Sequence, residues 1–249
     1  MHRDPSGRDG SVGSPLALDY QRLYEYRFRD VDQDRRQAVW QEIAPWIHKR
    51  LGSPERVLDP AAGRCEFINA VPASERWAVD EVAYAERAAS PGTHVIVADI
   101  MEVDLPPGHF GAAWVSNFLE HLPTQEHVAT FLEKMRACIR PGGAIAVMGP
   151  NFRYCPDEYF DYADHTLPLT HLAIAEHLYA AGFEVTEITA RFLPYSFRSR
   201  LPSSPSLARA YLRTPAAWRL LGKQFLVIGR RAGSGPVSPA PSAGPARSD

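Results

Sequence analysis

The sequence predicts an α/β protein built on a mostly parallel sheet with helices on both faces. Short β-rich runs alternate with amphipathic stretches almost throughout, and each of the first runs ends in a polar residue. The 249 residues, 45% of them hydrophobic, suit one large domain. In such sheets ligands bind at the carboxyl ends of the strands, beside the point where strand order reverses. The polar strand ends are therefore the first place to search for a site.

The elements follow in order. ALDYQRLYEYRF and DQDRRQAVWQEIAPWIHKRL carry apolar residues at three-to-four spacing (Val39, Ile43, Trp46, Ile47, Leu51) and predict helices, with Pro45 as a kink point. Strands are expected at 56–59, 76–80, 93–99 and 110–117. A helix follows at 124–139, capped by Thr124, and the loop RPGG at 140–143 ends it. AIAVMGPN supplies a fifth strand, LTHLAIAEHLYAAG a helix closed by glycine, and FEVTEITARF and GKQFLVIGRR the last two strands. The ends differ in character. Residues 1–15 and the Ala/Gly/Ser/Pro tail 232–249 hold too little apolar surface to offset the entropy of ordering and are expected to be disordered, leaving a folded body at 16–231 with amino-terminal helices over 16–52.

Composition excludes several classes of function. No apolar run approaches the roughly 20 residues of a membrane span, so the protein is not expected to be transmembrane. A net charge of −2 offers no general attraction for a nucleic-acid backbone. Cys65, Cys138 and Cys155 form no CxxC pair and the start has no apolar leader, which points to a reduced cytoplasmic protein. Small molecules are the favoured partners.

The most informative segment is VLDPAAGRCEF at 57–67. A strand delivers Asp59, and a tight turn through Ala61, Ala62 and Gly63 leads into a helix. Small residues there let a ligand approach the backbone, while the helix start offers unpaired N–H groups. Asp80 ends the second strand 21 residues on, where a carboxylate accepts both hydroxyls of a ribose. Asp99 ends the third, placed to accept from an exocyclic amine, with Ile100 as an apolar neighbour for a flat base. Three acids at successive strand ends describe a nucleoside cleft.

These residues resemble the class I S-adenosylmethionine-dependent methyltransferases. VLDPAAGRCEF looks like that family's first motif, WAVD its second, VADIMEVDLP its third, WVSNFLEHL the segment after strand four, and RPGGAIAVMGPN the loop and fifth strand. The resemblance implies a Rossmann-like seven-stranded sheet, mostly parallel with an antiparallel last strand. It implies S-adenosyl-L-methionine as cofactor, with Asp59 and Gly63 near the methionine moiety, Asp80 on the ribose and Asp99 on the adenine amine. Ala61 and Cys65 stand where the family usually has glycine, so the turn must tolerate small side chains. A nicotinamide-dinucleotide oxidoreductase is the rival for the same cleft. The low glycine count and the negative charge of Asp59 beside a pyrophosphate argue against it, whereas a sulfonium bearing an ammonium group suits that acid.

Methyl transfer to oxygen or nitrogen requires alignment and exclusion of water, and a base where the nucleophile is a hydroxyl. His121, just past strand four, is the candidate base. Asn117 shares its loop and is placed with the cofactor or substrate, while Glu120 is expected to face solvent. The 151–171 segment interleaves aromatics with acids and reads as a substrate lid, with Tyr154, Tyr159, Asp161 and His165 as binding candidates. Acids in place of lysines speak against nucleic acid there. His165 and His171 lie six apart without an HExxH pattern, so no metal site is expected. Residues 191–221 form an arginine-rich insertion, read as the solvated side of two short helices in preference to a phosphate site. Nitrogen acceptors of the resembled family often show an NPPY-like run after strand four, which SNFLEHL lacks. The expected reaction is O-methylation of a small molecule: a saccharide, a glycolipid or another secondary metabolite. The alternative is a catalytically degenerate cofactor-binding subunit that supports a partner.

Overall fold

The structure, a computed structural model, describes residues 18–195 and 204–233. The expected disorder of 1–15, nearly all of the tail at 232–249, and Phe197, Arg198 and Arg200 of the basic insertion lie outside the described residues. The chain divides into two compact units, one ending at Asp30 and the other starting at Val31. In the first, α1 (Tyr20–Phe28) begins at Asp19, whose carboxylate accepts the Arg22 N–H at 3.0 Å.

The second unit opens with α2 (Gln33–Arg50), capped by Asp32 through the Arg35 N–H. Pro45 lies inside this helix without ending it, because Trp40, Ile43, Ala44 and Ile47 bury one face around it. Then come β1 (Arg56–Asp59), α3 (Glu66–Ala70), β2 (Glu75–Asp80), α4 (Tyr84–Ala88), β3 (Thr93–Val97) and β4 (Phe110–Ser116). A single 3-10 turn, Leu119–His121, precedes α5 (Gln125–Cys138), whose Thr124 cap accepts the His127 N–H as expected. The rest is β5 (Ile139–Pro150), α6 (Pro156–Tyr159), α7 (His171–Ala180), β6 (Phe183–Thr189), α8 (Pro205–Leu212), α9 (Pro215–Leu221) and β7 (Gln224–Arg231).

The seven strands of the described residues form one sheet in the order β3-β2-β1-β4-β5-β7-β6. Pairings from β3 across to β5 are parallel, and β7 runs antiparallel to both β5 and β6. The period-two alternation of the strands divides the core. Val57, Ala112 and Trp114 face a cluster with Trp40, Phe67 and α2, while Leu58, Ala113 and Val115 face Phe131, Leu132 and Met135 of α5. Both faces are thus covered. Strand order reverses between β1 and β4, so Asp59 and Ser116 mark the switch point.

One local expectation is corrected. RPGG lies within the span of β5 and is not a separate loop, because the register passes from Phe110↔Ile139 to Ala112↔Ala144 and the surplus residues bulge out. Gly142 takes φ +75°, and a Cβ on Gly143 would lie 2.8 Å from the Gly111 carbonyl. The glycines serve a close strand crossing as well as a helix end.

Candidate cofactor and acceptor site

β1 delivers Asp59 to the switch point and buries it, at 3% exposure. Its Oδ1 has no hydrogen-bond partner, and burial, with the Asp80 charge second, raises its pKa well above the carboxylate range. The turn that follows is held by backbone bonds: Ala62 N–H donates to Val79 O at 3.0 Å and Cys65 N–H to Ala62 O at 2.7 Å. Gly63 has φ +51° and open space where a Cβ would stand. Cys65, at the amino end of α3, keeps φ +62° although it is not glycine. The turn has therefore retained its left-handed step, with the thiol buried and donating to Ala85 O at 3.7 Å.

Asp80 ends β2 and ties the two loops together. Its Oδ2 accepts the Gly63 N–H at 2.6 Å and its Oδ1 the Val82 N–H at 2.9 Å. Burial raises its pKa, and these two amides oppose the rise. Each oxygen keeps a second lone pair for a ribose hydroxyl. β3 is two residues shorter than expected, so Asp99 lies past its end; Asp99 is exposed and accepts the Met101 N–H at 2.8 Å, with Ile100 buried behind it. Asn117 follows β4 at φ +48° and donates its N–H to Met148 O. That conformation explains why an asparagine stands there, since it tolerates the left-handed region better than most residues.

Beyond Asn117 the structure assembles a second cluster. The ring of His121 lies 4.9 Å from that of His165, centroid to centroid. His121 Nδ1 is 3.0 Å from the Asp164 carbonyl and 3.5 Å from its carboxylate. A carbonyl only accepts, so Nδ1 carries the proton and Nε2 carries the lone pair. His165 is clamped by Tyr162 (stacked, 5.0 Å) and Tyr159 (edge-on, 5.0 Å). The Glu120 carbonyl accepts from Thr166 N–H at 2.8 Å and Leu167 N–H at 3.1 Å, which fixes the far end of the 151–171 segment against the β4 corner.

Two expectations are corrected here. Glu120 does not face solvent: it is 2% exposed, with Oε2 3.4 Å from the place a Gly149 Cβ would take. Tyr159 is a core residue and does not line a pocket; it is fully buried, donating to Leu167 O at 2.6 Å and accepting from Leu169 N–H at 3.1 Å. Tyr154 belongs to another set of contacts, stacked on His171 and lying beneath the Arg191 guanidinium. Asp161 is exposed, and among the described residues no side-chain bond joins it to the histidines. Sequence reasoning passed over Asp164, buried behind His121, and Asn151, whose amide reaches His171 and the Ala190 carbonyl. Two of the described arginines of the insertion have structural uses. Arg191 donates to the Gly222 and Leu220 carbonyls, and Arg209 pairs with Glu42.

A reversal of strand order between β1 and β4, a small-residue turn beside a buried acid and two further acids at neighbouring strand ends form a candidate nucleoside cleft in an α/β protein. Residues 58–147 match the family model described as a methyltransferase domain. A search of curated proteins returns no match. Among solved structures, a SAM-dependent methyltransferase from Archaeoglobus fulgidus aligns at TM-score 0.57 and 18% identity, over 86% of this chain and 100% of that one. One from Mesorhizobium loti aligns at 0.51 and 19%, over 76% and 98%. The 1,6-didemethyltoxoflavin-N1-methyltransferase of Burkholderia thailandensis, with 1,6-didemethyltoxoflavin and S-adenosylhomocysteine bound, aligns at 0.51 and 21%, over 89% and 93%. Over residues 58–147 the chain is thus similar to a methyltransferase domain, and it shares the fold of these enzymes, whose cofactor is S-adenosylmethionine.

The residues present fit that group. Asp59 offers a buried oxygen without a partner to a cationic ligand, and the turn at Gly63 leaves room beside the backbone. When bound, the cofactor supplies an electrophilic methyl on a sulfonium. Among the described residues no helix is long and apolar enough to cross a membrane.

Proposed function

We propose that the protein methylates an oxygen of a small-molecule acceptor, a saccharide, glycolipid or other secondary metabolite, with the acceptor placed at the His121 end of the cleft. Asp59, Ala61 and Gly63 hold the methionine end of the cofactor, Asp80 the ribose, and Asp99 and Ile100 the adenine. Asn117 closes the wall between cofactor and acceptor. His121 acts on the acceptor hydroxyl through Nε2, and His165 and Tyr154 contribute to acceptor binding. The supporting observation is the His121 tautomer: Asp164 holds Nδ1, leaving the lone pair of Nε2 for the acceptor.

The test is transfer of isotope-labelled methyl from S-adenosylmethionine to a panel of sugars, glycolipids and phenols, with product linkage read by mass spectrometry. Wild type is expected to form a methyl ether, and His121→Gln to lose about 100-fold in kcat/KM with cofactor affinity kept. Product methylated on nitrogen, or an undiminished His121→Gln enzyme, rejects the proposal. Tight cofactor binding with no turnover on any acceptor supports the degenerate-subunit alternative instead.

A further inference from the structure

A lone-pair nitrogen takes either a proton or a metal, and its neighbours decide which. Around His121, folding gathers Glu120 from the same 3-10 turn and His165 from the far end of the 151–171 segment. One ligand atom from each lies within 4.8 Å of the other two. We propose that Glu120, His121 and His165 form a binding site for a divalent transition metal of the zinc class, with an open position facing the acceptor.

Four observations carry this. Two imidazoles and one carboxylate match the donor set of catalytic zinc and related metals, which use three protein ligands and leave one position for water or substrate. Ligands of tetrahedral zinc stand about 3.3 Å apart, so small side-chain rotations close the cluster onto an ion. Asp164 supplies the outer support such a site needs: its carbonyl and buried carboxylate hold His121 Nδ1, which fixes the ring. The frame is stiff as well, with the His165 ring clamped by Tyr159 and Tyr162, Tyr159 itself fixed by two hydrogen bonds, and the Glu120 carbonyl held by two amides. The spacing of His165 and His171 gave no hint of this, because His171 is engaged with Asn151 and the third ligand is a glutamate 45 residues upstream of His165.

The proposal rests on the reading of His121 as the group facing the acceptor, and it specifies how the hydroxyl is activated. The acceptor oxygen occupies the metal's open position, its O–H bond weakens, and the proton leaves to solvent.

The test begins with binding alone. The full-length apoprotein is titrated with Zn2+ against a chromophoric chelator, and Co2+ is added separately to read its visible ligand-field bands. One tight site per chain is expected, weakened about 100-fold or more in His165→Ala and Glu120→Gln and about 10- to 100-fold in Asp164→Asn. His127→Ala serves as the control and binds as wild type. Thermal melts confirm that each variant is folded, and His165→Gln replaces any that is not. Absence of a tight site, or a site indifferent to His165 and Glu120, overturns the proposal. Methyl transfer unchanged after exhaustive chelation overturns the activating role. Tight, triad-dependent binding in a protein that methylates no hydroxyl upholds the site and condemns only the O-methylation reading.

Discussion

Replacing Asp59 with asparagine separates two properties that the cleft binds together. The carboxyl is buried, Oδ1 lacks a partner, and burial followed by the Asp80 charge raises its pKa well above normal. A folded-state pKa above the unfolded value means that the folded protein holds more protons between the two. Stability therefore falls as pH rises through that interval, and the whole cost is present above it. Asparagine removes the charge. A buried, unpartnered charge costs more than the neutral amide that replaces it; recovering about 1–2 kcal/mol lifts the melting temperature by roughly 2–8 °C at pH values above the interval. The gain shrinks as pH is lowered through the interval. Cofactor affinity moves the other way. A unit charge pair about 4 Å apart is worth around 4 kcal/mol at an effective dielectric constant of about 20. An asparagine that keeps part of the polar contact gives up about 2.7 kcal/mol, or about 100-fold in Kd. Calorimetric melts across pH and titrations with S-adenosylmethionine read both quantities. A variant that melts below wild type at every pH and binds the cofactor unchanged would refute the reasoning.

Two further outcomes follow from the geometry. Tyr159→Phe strips a donor from Leu167 O and an acceptor from the buried Leu169 N–H, so urea unfolding should show a loss of roughly 2 kcal/mol. Its KM for the acceptor should stay at the wild-type value, and a raised KM at unchanged stability would return Tyr159 to the pocket wall. At Cys65, φ +62° favours glycine over any side chain, so Cys65→Gly should exceed Cys65→Ala in stability by about 1 kcal/mol. Equal stabilities would mean that the turn relaxes when the thiol is removed.

The sheet was legible because its cues are local. RVLD is a strand of four residues ending in Asp59, and the Thr124 cap and Gly182 turn stand where single residues demand them. The strand-end acids were legible for the same reason: Asp59 and Asp80 sit one crossover apart on paired strands. What escaped was produced by tertiary burial. Glu120 reads as a surface residue until the Thr166 and Leu167 amides close over its backbone. Asp164 and His121 are 43 residues apart, and no periodicity links them. Tyr159 lies in a run of aromatics that all look alike in sequence, yet its hydroxyl completes two main-chain bonds while Phe160 beside it is exposed. RPGG fits both a helix stop and a strand bulge, and only the partner strand decides between them.

The 151–171 segment is fastened at two posts. At one, Asn151 donates its N–H to Lys223 O and sends its side chain to His171 and the Ala190 carbonyl; at the other, Thr166 and Leu167 are stapled to Glu120. Between the posts, residues such as Asp157 and Asp161 face water and bear little of the load. Its exposed positions can therefore be rewritten to suit a new acceptor, whereas Tyr159, Tyr162 and Asp164 within it must stay for the histidine pair to keep its place.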